Sequence, residues 1–235
     1  MASQRAKFDA ILSALEKQHG KLKPEQPTDP FGMILWEKVA YLVEDTQRAV
    51  AYKALKTHVG IDPKKIRAAP LPVLEEICKV GGIEYRKRAQ RLHEVSKIVL
   101  DEFDGDLKNA LKLPYKQAIK ALSKFPYVGV PSAEKIMLFT GTSPVLSLES
   151  NGLRVLTRLG YGKEDKNYTK MYNSVREDIA PELPDDCKTL TRAHLMLRWH
   201  GKTICKTTMP QCGGCALVKV CPHAKKLAKL RPKPV

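Results

Sequence analysis

From Phe31 onward, apolar residues return every three or four positions, as in "MILWEKVAYLV" (33–43) and "AQRLHEVSKIVLDEF" (89–103). No stretch alternates apolar and polar residues as a half-buried strand would. A chain patterned in this way buries its apolar side by packing helix on helix, so an all-α fold is predicted. Breaks at "GIDP", "AAPLP", "VGGIEY", "LKLP", "FPYVGVP" and "GTSP" divide the region into nine or ten helices. Upstream, Phe8, Ile11, Leu12 and Leu15 share one face of a helix that Gly20 stops, and "KLKPEQPTDP" follows as a linker. That first helix reads as an appendage, and there is no internal repeat.

The 235 residues include 41 Lys plus Arg against 25 Asp plus Glu, a formal net charge of +16 that calls for a polyanionic partner, nucleic acid above all. No run approaches the roughly 18 apolar residues of a membrane span, and "MASQRAKFDA" lacks the apolar core of a secretory signal. An intracellular protein of cytoplasm or nucleoid is therefore expected, with no membrane partner. In a reducing compartment cysteines serve metal chemistry more often than disulfides.

Four of the six cysteines fall within 17 residues, in "CKTTMPQCGGCALVKVC". Cys205, Cys212, Cys215 and Cys221 are separated by six, two and five residues. Four thiolates can enclose a tetrahedral zinc or a cubane iron–sulfur cluster. Structural zinc sites generally join two C-x2-C knuckles across a longer spacer, so this compact loop with one such pair disfavours zinc without excluding it. Cys78 and Cys187 stand alone and read as small packing residues. His200 and His223 flank a donor set that four thiols already complete.

"YKQAIKALSKFPYVGVPSAEKIMLF" reads as two helices around a hairpin, the first with Ala118, Ile119 and Leu122 on one face and the second starting near Pro131. Gly129 is suited to a tight turn and close approach to a ligand, so the amides of Val128, Gly129 and Val130 are candidates to hold a DNA phosphate. The same residues also make a plain helix–helix corner. Downstream, "SLESNGLRV" (147–155) sets Glu149 at a helix start, where an acid is favoured by capping and by the helix dipole alone.

The ordered set of "FPYVG", "LESNGLRVLTR" and the cysteine loop resembles the endonuclease III family of helix-hairpin-helix DNA glycosylases, from about Asp29 to Lys226. The resemblance implies two helical lobes with DNA bound across a cleft, and a [4Fe–4S] cluster on Cys205, Cys212, Cys215 and Cys221. It divides the chain into an N-terminal helix and linker (1–28), a cluster-containing lobe (29–45 and 145–226), a lobe ending in the hairpin (46–144) and a basic tail (227–235). Glu149 stands where the family has its catalytic aspartate. Pro131 stands where members that also cut the strand have a lysine, so no amine is available there for a Schiff base.

Closer likeness is to monofunctional members such as the adenine-excising branch, which has a second carboxylate at the place of Glu37 and an asparagine like Asn151, a residue expected here to contact the DNA. Glu149 is then the anion that stabilises an oxocarbenium-like sugar and aligns water, and Glu37 the acid that protonates the departing base. Tyr41 and Leu42, on the same helix as Glu37, are expected either to pack in the core or to line a base pocket. Ile83 is placed as the apolar wedge that fills the gap left by a flipped base, with Arg86, Lys87, Arg88 and Arg91 on nearby phosphates. The implied protein is a monomeric DNA-repair N-glycosylase acting on double-stranded DNA with a damaged or mismatched base. A glycosylase scaffold that binds DNA without chemistry is the competing expectation, because Glu149 is one methylene longer than aspartate.

Overall fold

The computed structural model describes residues 7–230, so the last five residues of the expected basic tail lie outside the described residues. Thirteen α-helices run through the described residues: α1 (Phe8–His19), α2 (Pro30–Val39), α3 (Asp45–His58), α4 (Pro63–Ala68), α5 (Leu71–Val80), α6 (Tyr85–Phe103) and α7 (Lys108–Leu111) come first. They are followed by α8 (Tyr115–Leu122), α9 (Val130–Phe139), α10 (Ser150–Arg158), α11 (Tyr168–Ile179), α12 (Cys187–Thr203) and α13 (Pro222–Leu230). The all-α expectation holds, and among the described residues the single β-bridge joins Tyr41 to Gly82. Twelve helices follow Phe31's segment rather than nine or ten, because one-turn pieces such as α7 do not show in the apolar period. Among the described residues no helix is long and apolar enough to cross a membrane.

The chain divides into two compact units, one of Met1–Lys23 with Pro144–Val235 and one of Pro24–Ser143. In the first unit α12 is central, packing against α1 and α10, while α11 lies against α10. The first helix is no appendage. Phe8, Ile11, Leu12 and Leu15 are all buried, and Gln18 Nε2 donates to Gly214 O at 2.6 Å inside the cysteine loop. Gly201 lets α12 approach α10, since a Cβ there would lie 2.5 Å from Asn151 O and 2.8 Å from Asn151 C.

In the second unit α2 buries nine of its ten residues, which is why a helix with almost no polar face is stable in the interior. Glu37 is the exception. Asp29 caps the helix by accepting from the Gly32 amide at 2.6 Å, with Pro30 in the first turn. At the other end Arg48 Nη1 donates to Trp36 O (2.9 Å) and Ala40 O (3.0 Å), satisfying carbonyls that the helix leaves open. Residues 29–45, expected with the cluster lobe, thus belong to the hairpin unit, because α2 packs on α3, α6 and α9.

Gly201→Ala is expected to lower stability by about 1–2 kcal/mol, the overpacking against Asn151 outweighing the roughly 1 kcal/mol gain in helix propensity. Urea denaturation checks this against Gly213→Ala, whose added Cβ meets nothing within 4 Å and is expected to change stability by less than about 0.5 kcal/mol.

Candidate active site

Glu149 is the N-cap of α10 and its carboxylate closes the cap: Oε1 accepts from the Gly152 amide at 2.7 Å. The added methylene relative to aspartate does not prevent this. Asn151 Nδ2 donates to Oε2 at 2.7 Å, and Asn151 Oδ1 in turn accepts from Arg154 Nη2 at 2.7 Å. Arg154 also donates to Gly201 O (2.8 Å) and, through Nε, to Cys205 O (2.9 Å). Asn151 therefore orients the carboxylate. Tyr168 belongs to the same neighbourhood, its phenol pushed up to about 12 by burial and by the Glu149 charge, while its hydroxyl donates to Leu148 O at 3.2 Å. It lies 19 residues from Glu149, and no local pattern in the sequence marks it.

Arg158 holds the start of the cysteine loop, donating from Nη1 to Lys206 O (2.7 Å) and Cys205 Sγ (3.3 Å), and from Nη2 to Thr207 O (3.0 Å). Burial raises the Cys215 and Cys221 thiols, and the charges of the other loop cysteines add to the effect, so the four sulfurs share one neighbourhood. Among the described residues no three His, Cys, Asp or Glu side chains gather closely enough for a single metal ion. A cubane would carry its four thiolates on separate irons, whereas one tetrahedral zinc would hold all four. His200 is buried between His19 Nε2 (3.0 Å) and Cys215 Sγ (3.4 Å), with its pKa held down to about 4 by burial and by His19. Cys78 is buried and Cys187 is half-buried.

In the second unit a pocket of about 480 Å³, part of it open solvent, is lined by Met33, Ile34, Val128 and Ile136 and by the polar Gln26, Glu37, Tyr127, Ser132 and Lys135. Lys135 Nζ meets Glu37 Oε1 at 2.9 Å and Arg48 Nη1 lies 3.5 Å from Oε2. Burial works to raise the Glu37 pKa, but the charges of Lys135 and Arg48, the Lys135 hydrogen bond and Lys38 outweigh it and hold the carboxyl at about 2. Ion pairing thus favours the charged carboxylate of Glu37 over the protonated form that the acid role expected from the sequence requires. The Gln26 amide nitrogen is buried without a hydrogen-bond partner.

The hairpin differs from expectation in its backbone. Gly129 has φ −88° and ψ −178°, ordinary extended geometry, and caps α9, which starts at Val130 with Pro131 second. The left-handed residue is Tyr127, φ +61°, a conformation that costs a non-glycine residue about 1 kcal/mol. Val128 is turned inward and its amide donates to Phe125 O at 3.1 Å, so it offers nothing to a phosphate. The first-turn amides of Val130 and Ser132 have no carbonyl four residues back within the helix, and a Cβ at Gly129 would meet only Pro131 Cδ at 3.9 Å, leaving room for a ligand. Tyr127 is 74% exposed, with Arg91 at 4.3 Å over its ring and Arg91 Nη2 donating to its hydroxyl at 3.0 Å.

Tyr41 and Leu42 fall beyond the end of α2, not on it. Tyr41 N donates to Gly81 O at 2.9 Å, which sets the 40–44 loop beside the 81–84 loop. Leu42 (φ +54°) is 74% exposed and Ile83 56%, so two aliphatic side chains project from adjoining loops. Arg86 and Lys87 are exposed and paired with Glu75 and Glu84. Arg88 is not a phosphate contact: it is 1% exposed, because its guanidinium is spent on the carbonyls of Val39, Cys78 (2.6 Å), Gly82 (2.6 Å) and Ile83 (2.7 Å).

No protein-family profile matches the chain. The Endonuclease III of Thermotoga maritima is 25% identical over 202 residues, covering 86% of this chain and 87% of that protein. The Thymine-DNA glycosylase of Aeropyrum pernix is 28% identical over 164 residues, 68% of each. A solved Endonuclease III trapped as a covalent intermediate on DNA shares the fold, with a TM-score of 0.75 at 21% identity over 95% of this chain and 97% of that one. In sequence the chain is similar to endonuclease III-like DNA glycosylases, and it shares the fold of the solved one. Against the pattern that the sequence resemblance implies, Glu149 caps with a longer arm and Pro131 brings no amine.

The depressed Glu37 pKa means that its ion pair stabilises the fold above the ordinary value of 4.5 and is lost as pH falls toward about 2. With the Glu37 side chain 45% exposed, screening keeps the contribution small. Lys135→Met removes the leading opposing charge, so the Glu37 pKa is expected to rise, as read from its carboxyl carbon in an NMR titration. An unmoved titration would show that the pair does not form in solution.

Proposed function

We propose that this chain is a DNA N-glycosylase that hydrolyses the bond between deoxyribose and a damaged or mismatched base, without a covalent enzyme–sugar step. The observation that supports it most is the capped, asparagine-oriented carboxylate of Glu149. As the base departs, positive charge develops at C1′ and a fixed anion stabilises it. Water then forms the new C1′–O bond and gives its proton to Glu149, while the bonding pair leaves with the base nitrogen. In the second unit Glu37 holds the Lys135 ammonium at 2.9 Å. Engaged as an ammonium in that pair, Lys135 is a poor nucleophile, and Pro131 offers none, which supports the hydrolytic course.

Other surfaces fit the same substrate. The net charge of +16 suits duplex DNA, the α9 N-terminus suits a phosphate, and Leu42 with Ile83 suits a wedge between base steps. Cys205, Cys212, Cys215 and Cys221 would hold a [4Fe–4S] cluster, which when bound supplies rigidity to a loop that Arg154 and Arg158 already anchor. Purified protein is expected to contain iron and acid-labile sulfide and to lose both in Cys212→Ser, whereas stoichiometric zinc would overturn the cluster assignment.

Single-turnover excision on duplexes bearing a panel of damaged and mismatched bases tests the activity. Glu149→Gln is expected to slow release on the order of 100-fold or more, with strand scission appearing only after alkali. Equal rates for wild type and variant would remove Glu149 from the chemistry, and scission without alkali would remove the hydrolytic course.

A further inference from the structure

We infer that Tyr127 is a stacking platform for a nucleobase that enters the Glu37–Lys135 pocket from bound DNA. This rests on the DNA-glycosylase reading above. The ring is exposed although it sits on a left-handed backbone that glycine would adopt without cost, so neither folding nor packing explains an aromatic side chain at that place. It is also held still: Arg91 stacks over it at 4.3 Å and grips its hydroxyl at 3.0 Å, and Lys38 Nζ lies 5.5 Å from the ring centroid. A flat π-surface fixed in advance loses little freedom when a base stacks on it.

A second observation comes from the pocket that the ring borders. The Gln26 amide nitrogen there is buried with its hydrogens unused, so an occupant with an acceptor on its edge would satisfy a donor that the folded chain does not. Lys135 adds a further donor and Glu37 an acceptor. Flat faces toward Tyr127 and a polar edge toward Gln26 and Lys135 describe a nucleobase, and a phosphate or an aliphatic group matches neither.

The experiment compares wild type, Tyr127→Gly and Tyr127→Phe on a duplex with 2-aminopurine opposite an abasic site, a base that leaves the stack easily. Glycine suits φ +61°, so that variant is expected to melt at the wild-type temperature or above. Stacking predicts that Tyr127→Gly weakens binding about 5- to 100-fold with an unchanged salt slope, and that its bound 2-aminopurine is brighter than in the wild-type complex. Tyr127→Phe is expected to match wild type in both. Wild-type affinity and brightness in Tyr127→Gly would overturn the inference, as would a salt slope reduced by about one, which marks a phosphate contact. A Tyr127→Phe variant as weak as Tyr127→Gly would assign the effect to the hydroxyl and overturn stacking. Wild type that binds the duplex while only the variants fail to differ sinks the stacking alone, whereas absence of salt-dependent binding by wild type sinks the glycosylase reading with it.

Discussion

Arg154 joins α10 to the end of α12 and to the mouth of the cysteine loop, 47 and 51 residues away in sequence. Its guanidinium fan reaches Asn151, the Gly201 carbonyl near the end of α12 and the Cys205 carbonyl at the mouth of the cysteine loop. Helix C-termini leave carbonyls without partners, and a planar five-donor group is well suited to collecting several of them at once. Because Arg158 follows one turn later and binds the next stretch of the loop, one helix carries the carboxylate at its N-cap and grips the cysteines along its side. Burial and the neighbouring Arg158 charge lower the Arg154 pKa, while the Cys205 and Glu149 charges oppose that shift; a guanidinium keeps its charge at any ordinary pH.

The second unit uses the same device. Arg88, buried, gathers carbonyls from the end of α2, the end of α5 and the 81–84 loop, while Arg48 caps α2. These bonds fix the adjoining loops that expose Leu42 and Ile83. Interior backbone acceptors must find donors, and in both units arginine supplies them, so part of the +16 charge is structural.

Much of the site was legible because its signals are local. The cysteine spacing and the helix start at "LESNG" depend on residues close in sequence, whereas the pairing of Asn151 with Glu149 is seen only in the fold. Arg86, Lys87 and Arg88 show the limit: three adjacent cations look alike in sequence, yet α6 turns the third into the core and leaves the other two in solvent. The hairpin shows another, since glycine signals a left-handed turn but Tyr127 adopts it and Gly129 does not. Glu37 and Lys135 are 98 residues apart, and no periodicity could pair them.

The sequence by itself determined an all-helical chain, a four-thiol loop, a carboxylate at a helix start and a hairpin without a lysine two residues past its glycine, because apolar period, spacing and capping depend on near neighbours. Tertiary structure alone decided which charges are spent inside, that ion pairing favours the charged form of Glu37, and that an aromatic ring rather than a glycine turns the hairpin. Those outcomes depend on which distant groups share a low-dielectric neighbourhood, and that is settled only when the helices pack.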